Sequence, residues 1–352
     1  MGNPRKNNFD LIRFLAALQV LIIHARAHLK IESEFLDYAS LYFLKFFPGV
    51  PIFFFISGFL IYGSFERNKD NLKKFFWNRF LRIYPALWVC FLFVIVLLLN
   101  DFTGHYSSFF SKEILFWIFG QLSIFQFYTP DILRFWGVGA PNGSLWTITV
   151  EVQFYLLIPF LFWFFSRFNK FWLTFGIVFL VSLFVNYFVG DLKRNGDDFI
   201  ANLGGVFVLS YLHYFLIGVL IRVFWKKLKP YFEHKFLIWL IGYLLLSTIS
   251  TFYLGINTNS YWLMTPVNLL ADFILAGVTF SMAYSFYGIS SRLLRGNDIS
   301  YGLYIYHMLV VNFLVQRNCF GEMYYLMLTI IVTMILAFLS WRLVEKSCLK
   351  LK

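Results

Sequence analysis

The chain has 352 residues, of which 60% are hydrophobic and only 14% charged, and its mean hydropathy is +0.69. About a quarter of a soluble domain is charged, so this composition excludes an ordinary soluble enzyme. The net charge of +12 fits basic loops on the cytoplasmic side of a membrane better than nucleic-acid binding.

Apolar runs near twenty residues recur along the whole length, and they do not alternate as barrel strands would. The expected fold is all-α: one polytopic transmembrane helix bundle over residues 1–352, with about ten spanning helices. In chain order the spans are placed near 9–28, 44–64, 81–100, 145–165, 171–190, 205–224, 235–254, 264–286, 300–316 and 323–343. Segment 112–128, KEILFWIFGQLSIFQFY, is apolar but short and carries Gly120 and two glutamines. It is read as re-entrant or interfacial. The opening MGNPRKNN leads into a hydrophobic run too long for a cleavable signal, and Lys6 does not suit myristoylation. The first helix is therefore expected to act as an uncleaved anchor.

Charge tests the count. With ten spans, both termini and every second loop face the cytoplasm, and these regions hold 22 of the 30 Lys and Arg residues. Among them are Arg5, Lys6, Arg67, Arg167, Lys170, Lys226, Lys227 and Arg292. The outer loops carry the acidic stretches IESEFLD and GDLKRNGDD and the longest connection, 101–144. An eleventh span at 112–128 would invert the basic loops after it. Cys90, Cys319 and Cys348 are scattered and form neither a metal spacing nor a disulfide framework.

A few polar residues inside apolar runs need an explanation. Arg13 and His24 lie eleven residues apart in FDLIRFLAALQVLIIHARAH. At ~100° and ~1.5 Å per residue they share one helical face, ~16 Å apart along the axis. A cation and an imidazole there are costly, and suggest a polar path with a titratable group partway along it. His24 is either a helix–helix hydrogen bond or a general base or proton relay, because an imidazole titrates near neutrality. Arg13 either snorkels to the interface or clamps an anion from the cytoplasm. Asp10, one turn before Arg13, extends the stripe or answers the helix dipole.

Arg79 and Arg82 share a face in KKFFWNRFLRIYP. They either meet anionic lipid or bind phosphate, and interleaved aromatics suit an adenine-bearing ligand. Glu151 sits about two turns into NGSLWTITVEVQFYLLIP. It is either structurally paired or able to orient His24 and stabilise its protonated form. His307, with Tyr304 three residues earlier, either packs in the core or lines a pore, and Trp146 completes the polar pore candidates. Glu345 is read as a local ion pair with Arg342, and Ser57-Gly58 as a close helix contact. Asp272 receives no role.

Together these segments resemble one family, the acyltransferase-3 group of integral membrane O-acyltransferases. The resemblance rests on FDLIRFLAALQVLIIHA, with Arg, ten residues, then His; GVPIFFFISGFLI; RFLRIYPALW; SLWTITVEVQFYLL; ISYGLYIYH; and SWRLVEKS. These blocks follow family order across nearly the whole chain. Position 152 is Val where many members have a second Glu, and the last block reads EKS where EKP is frequent. The resemblance implies acyl-CoA, usually acetyl-CoA, as co-substrate, no tightly bound cofactor or metal, and transfer to a carbohydrate hydroxyl. It implies His24 as the catalytic histidine and Arg13, Arg79 and Arg82 as ligands of the CoA phosphates. The chain resembles the stand-alone form, without an added extracytoplasmic domain.

The expected reaction crosses a bacterial inner membrane. Cytoplasmic acyl-CoA is held by inward arginines, its thioester reaches toward His24, and an outer carbohydrate or lipid-linked glycan presents the hydroxyl. Glu151 supports the imidazolium, and an acyl-histidine intermediate is the variant route. Two competing classes use the same residues differently: a transporter or flippase for an anionic glycolipid, and a non-catalytic subunit of a polysaccharide-synthesis complex.

Overall fold

The computed structural model describes residues 7–34, 37, 44–101, 111–167, 171–196, 198–258, 260–263 and 265–352. Outside these lie Arg5, Lys6 and Lys170 of the expected cytoplasmic cations, residues 102–110 of the long loop, residue 264 of an expected span and parts of both acidic stretches.

The regular elements described are all helical. In chain order they are α1 (Phe9–His28), α2 (Gly49–Asn68), α3 (Leu72–Asp101), α4 (Lys112–Leu122), α5 (Trp146–Arg167), α6 (Phe171–Asn195), α7 (Asp198–Gly204), α8 (Leu212–Val223), α9 (Trp225–Phe232), α10 (Phe236–Thr248), α11 (Pro266–Ser285), α12 (Ile289–Leu294), α13 (Ser300–Gln316), α14 (Met323–Ser340) and α15 (Lys346–Cys348). Local chemistry sets several ends. α1 has Asp10 in its first turn and Arg26 and His28 in its last, matching the helix dipole. α11 opens with Pro266 after a Thr265–Asn268 capping box.

Among the described residues, six helices are long and apolar enough to cross a membrane, or seven if the bent pair α9 and α10 counts as one span, with a break of 79°. The other expected spans take different forms. α1 is a twenty-residue helix bearing charges, α8 has twelve residues, and α13 has seventeen. Segment 112–128, expected not to span, is an eleven-residue helix followed by turns. The stretch KKFFWNRFLR, before the third expected span at 81–100, is helical as well. It is the first third of the thirty-residue α3, since charge lowers hydropathy without breaking a helix. Outward faces of α3, α6 and α14 carry Leu92, Val96, Leu180, Phe184 and Ile331, each more than half exposed, as lipid-facing surface requires.

The chain forms two compact units, each assembled from three stretches. The first comprises Met1–Ala16, Tyr42–Leu72 and Val150–Gly296, and the second Ala17–Leu41, Lys73–Thr149 and Asn297–Lys352.

In the first unit, α2 and α8 meet backbone to backbone. A Cβ on Gly58 would sit 2.0 Å from the Phe215 carbonyl oxygen, and one on Gly218 would sit 2.1 Å from that of Phe55. Between apolar helices in lipid, such close approach supplies the van der Waals attraction that holds them. Phe154 of α5 stacks on Phe215, with ring centroids 3.9 Å apart. The start of the chain is tied to the end of α11 by Asn8, whose Nδ2 donates to the Phe286 carbonyl at 2.6 Å and whose Oδ1 accepts from the Ser290 amide at 3.1 Å.

In the second unit, α13 is the centre. Thirteen of its seventeen residues are buried, so it is apolar because it is core, not because lipid surrounds it. Gly302 lets α14 approach: a Cβ there would lie 2.8 Å from Ala337 Cα. α13 also anchors the connection between α4 and α5. Asn312 donates to the Ala140 and Pro141 carbonyls at 2.9 and 3.0 Å and accepts from the Val138 amide at 2.8 Å. Asn142 donates to the Ile305 carbonyl at 2.8 Å.

Candidate functional site

α1 runs unbroken from Phe9 to His28, so Arg13 and His24 occupy one helix as the spacing predicts. Arg13 Nη1 lies 3.1 Å from Asp10 Oδ1, which makes Asp10 the local partner of Arg13.

His24 meets a partner that sequence spacing did not reveal. In the second unit its Nδ1 lies 2.9 Å from Nε2 of His307, and the rings stack with centroids 5.1 Å apart and planes 23° from parallel. His307 is fully buried in α13, and its Nδ1 donates to the Tyr304 carbonyl at 2.6 Å. His28 lies alongside, its ring centroid 6.0 Å from that of His24.

Tyr304 is fixed at its other end. The Thr147 hydroxyl donates to its phenol oxygen at 2.7 Å, and the phenol donates to the Ser144 carbonyl at 3.2 Å. Ser144 Oγ in turn donates to Asn142 Oδ1 at 2.8 Å. The block containing NGSLWT therefore braces the helix that carries His307. Trp146 opens α5 beside these residues in the chain and is half-buried.

Arg82 is engaged by acids. Its Nη2 lies 2.5 Å from Asp298 Oδ2 and its Nη1 lies 3.9 Å from Glu345 Oε2. Ser300 Oγ donates to the other Asp298 oxygen at 2.6 Å. Glu345 is buried and accepts from Ser340 Oγ at 3.3 Å. Its ion-pair partner is thus Arg82 and not Arg342, which is exposed. The reason is local geometry: Trp341–Glu345 is a π-helical turn, whose wider winding takes residues three apart off a common face, so Glu345 is buried while Arg342 is exposed. Arg79, one turn before Arg82, lies over the Phe75 ring at 6.0 Å.

Glu151 belongs to the first unit. Its Oε1 accepts from Ser57 Oγ at 3.3 Å and from the Tyr155 phenol. Ser57-Gly58 thus does two things, admitting α8 through the glycine and bonding α5 through the serine. Asp272 is buried in the same unit, and its Oδ2 has no hydrogen-bond partner among the described residues. Among the described residues, no group of three His, Cys, Asp or Glu side chains could hold a metal ion.

The structure therefore brings together a half-buried and a fully buried imidazole within an apolar helical chain. Residues 6–342 match the acyltransferase domain of the acyltransferase-3 family, and the chain belongs to that family. It is 33% identical to nodulation protein 10 of Rhizobium leguminosarum bv. viciae, over all of this chain and 95% of that protein. It is 27% identical to an O-acetyl transferase of Shigella phage Sf6, over 98% of this chain and 96% of that one. A longer Staphylococcus aureus relative is 26% identical over 96% of this chain and 56% of its own length. No solved structure matches. The chain is thus a member of an enzyme family whose chemistry is acyl transfer.

Proposed function

We propose that the chain transfers an acyl group, acetyl by default, from cytoplasmic acyl-CoA to a hydroxyl of an extracytoplasmic carbohydrate or glycolipid, with His24 as general base. The observation that carries this reading is the His24–His307 pair, 2.9 Å apart, in a chain whose family is defined by acyl transfer. Similarity to a phage O-acetyl transferase supports an oxygen acceptor and an acetyl donor group.

In this reading His24 takes the proton from the acceptor hydroxyl as its oxygen attacks the thioester carbonyl. The tetrahedral intermediate collapses, the carbon–sulfur bond breaks, and the leaving thiolate recovers the proton from the imidazolium. The products are an ester and free CoA. Arg79 and Arg13 provide guanidinium groups suited to the phosphates of CoA. Arg82 contributes less directly, because a phosphate there would compete with Asp298 and Glu345. Glu151 contributes negative charge to the reaction. Both termini are cytoplasmic, and the membrane is the inner membrane of a bacterial cell.

The test is release of free CoA from acetyl-CoA in membranes containing wild type or His24→Ala at matched expression, with crude cell-surface glycan as acceptor. Acceptor-dependent release by wild type alone supports the reading. Release by both removes His24 as base. If neither releases CoA, and the purified protein does not bind it, acyl-CoA is not the substrate and a transporter becomes the working reading.

A further inference from the structure

We propose that His307 is the positioning residue of the reaction, holding His24 as the tautomer whose Nε2 is the free base. The inference rests on the reading of His24 as general base, and follows from two hydrogen bonds taken in order. A carbonyl oxygen can only accept, so His307 Nδ1, 2.6 Å from the Tyr304 carbonyl, carries a proton. In a neutral imidazole the other nitrogen is then an acceptor. His307 Nε2 therefore accepts from His24 Nδ1 at 2.9 Å, and the remaining lone pair of His24 lies on Nε2. Each step follows from the one before.

The direction is set by backbone. Tyr304 and His307 lie three residues apart within α13, so this carbonyl is part of the helix itself and cannot be reoriented. The segment is further held because the Ile305 carbonyl accepts from Asn142 at 2.8 Å and the Tyr304 phenol is bonded to Thr147 and Ser144. His307 is fully buried while His24 is half-buried. The inner ring is thus fixed and the outer ring is the one that substrate can reach.

The arrangement has the logic of a base oriented by a third group, with one difference. In the serine hydrolases the orienting group is a carboxylate, which also stabilises the imidazolium. Here it is a neutral ring, which fixes the tautomer and adds no charge. His307 keeps its own proton on Nδ1 in the bond to the Tyr304 carbonyl, and its Nε2 lone pair is taken by the His24 N–H, so it acts on His24 and not on substrate.

The test uses full-length protein carrying ring-labelled ¹⁵N histidine in lipid bilayers, with the His24 signals assigned from the His24→Asn spectrum. Wild type is expected to show His24 protonated at Nδ1 and bare at Nε2. His307→Phe keeps an aromatic ring but offers no acceptor. In it the His24 tautomer should shift toward Nε2–H, and kcat for acetyl-CoA turnover should fall by about a hundredfold or more with KM for acetyl-CoA little changed. His307→Gln offers an amide oxygen near the Nε2 position and should recover the Nδ1–H tautomer and much of the lost kcat.

A wild-type His24 protonated at Nε2 overturns the proposal. So does a His307→Phe protein that keeps the wild-type tautomer and kcat. If the Phe variant does not fold, the wild-type and Gln spectra decide. The tautomer needs no substrate, so it reads His307 even if acetyl-CoA proves not to be the donor, and that result would remove the proposed function alone.

Discussion

Arg82 and Asp298 lie 216 residues apart in sequence and 2.5 Å apart in space, joining α3 to the turn that opens α13. Glu345 lies 3.9 Å away on the same guanidinium. One cation therefore serves two carboxylates, and all three side chains are at most one-fifth exposed. Removing it leaves two acids facing each other with little water. Arg82→Ala should destabilise the protein by about 3 kcal/mol, the lower end of the range for breaking a buried pair, because some solvent still reaches the guanidinium. Arg79→Ala should weaken CoA affinity about tenfold, one charge-assisted hydrogen bond's worth, and cost less stability than Arg82→Ala. Melting in detergent and calorimetric titration with CoA measure the two effects. Equal loss of stability in both variants would remove the division of labour between these arginines.

The contact of α2 with α8 makes a second separation possible. Ala at Gly58 would drive a methyl into the Phe215 carbonyl, 2.0 Å from where it must sit. Backbone on both sides leaves no flexible end to move. Gly58→Ala should therefore cost several kcal/mol as overpacking of a helix contact, seen as loss of folded protein after extraction. Among the described residues a Cβ on Gly242 in α10 meets nothing within 4 Å, so Gly242→Ala should be neutral or stabilise by up to about 1 kcal/mol, the ordinary helix preference for alanine.

The helical membrane class and the shared face of Arg13 and His24 were legible from hydropathy and period alone, because both are properties of a single segment. So was the close approach at Ser57-Gly58. The pairing of His24 with His307 was not, since nothing local marks two residues 283 positions apart as neighbours. The relation of Tyr304 to His307 was half legible. Spacing put them on similar faces, but the contact uses the tyrosine backbone carbonyl, and the phenol points to Thr147 and Ser144. The partners of Arg82 were hidden for a related reason. A basic run beside aromatics reads as a phosphate site, and the acids that occupy this arginine lie in distant NDIS and VEKS segments whose approach only the fold creates.

Glu151 allows charge to be tested apart from structure. Both of its hydroxyl donors, Ser57 and Tyr155, reach Oε1. An amide oxygen accepts the same two bonds, so Glu151→Gln should keep stability within about 1 kcal/mol of wild type. If the negative charge takes part in the reaction, kcat for acetyl-CoA turnover should nevertheless fall tenfold or more. A Gln variant with full activity would make Glu151 a helix-packing residue.

Tyr304 gives the sharpest contrast with its neighbour three residues on. Its phenol lies between Thr147 and Ser144, while its carbonyl receives His307 Nδ1. Phe at this position removes the first function and leaves the second, because the carbonyl belongs to the main chain. Tyr304→Phe should cost about 1–3 kcal/mol, since a buried hydroxyl of Thr147 loses an acceptor, and should lower kcat less than tenfold. His307→Phe should lower kcat far more for a comparable change in stability. The two variants differ by one hydroxyl in one case and by one acceptor nitrogen in the other. Parallel melting curves and turnover measurements on both therefore distinguish bracing of α13 from orientation of His24, and equal losses of kcat in the two would assign both residues to bracing.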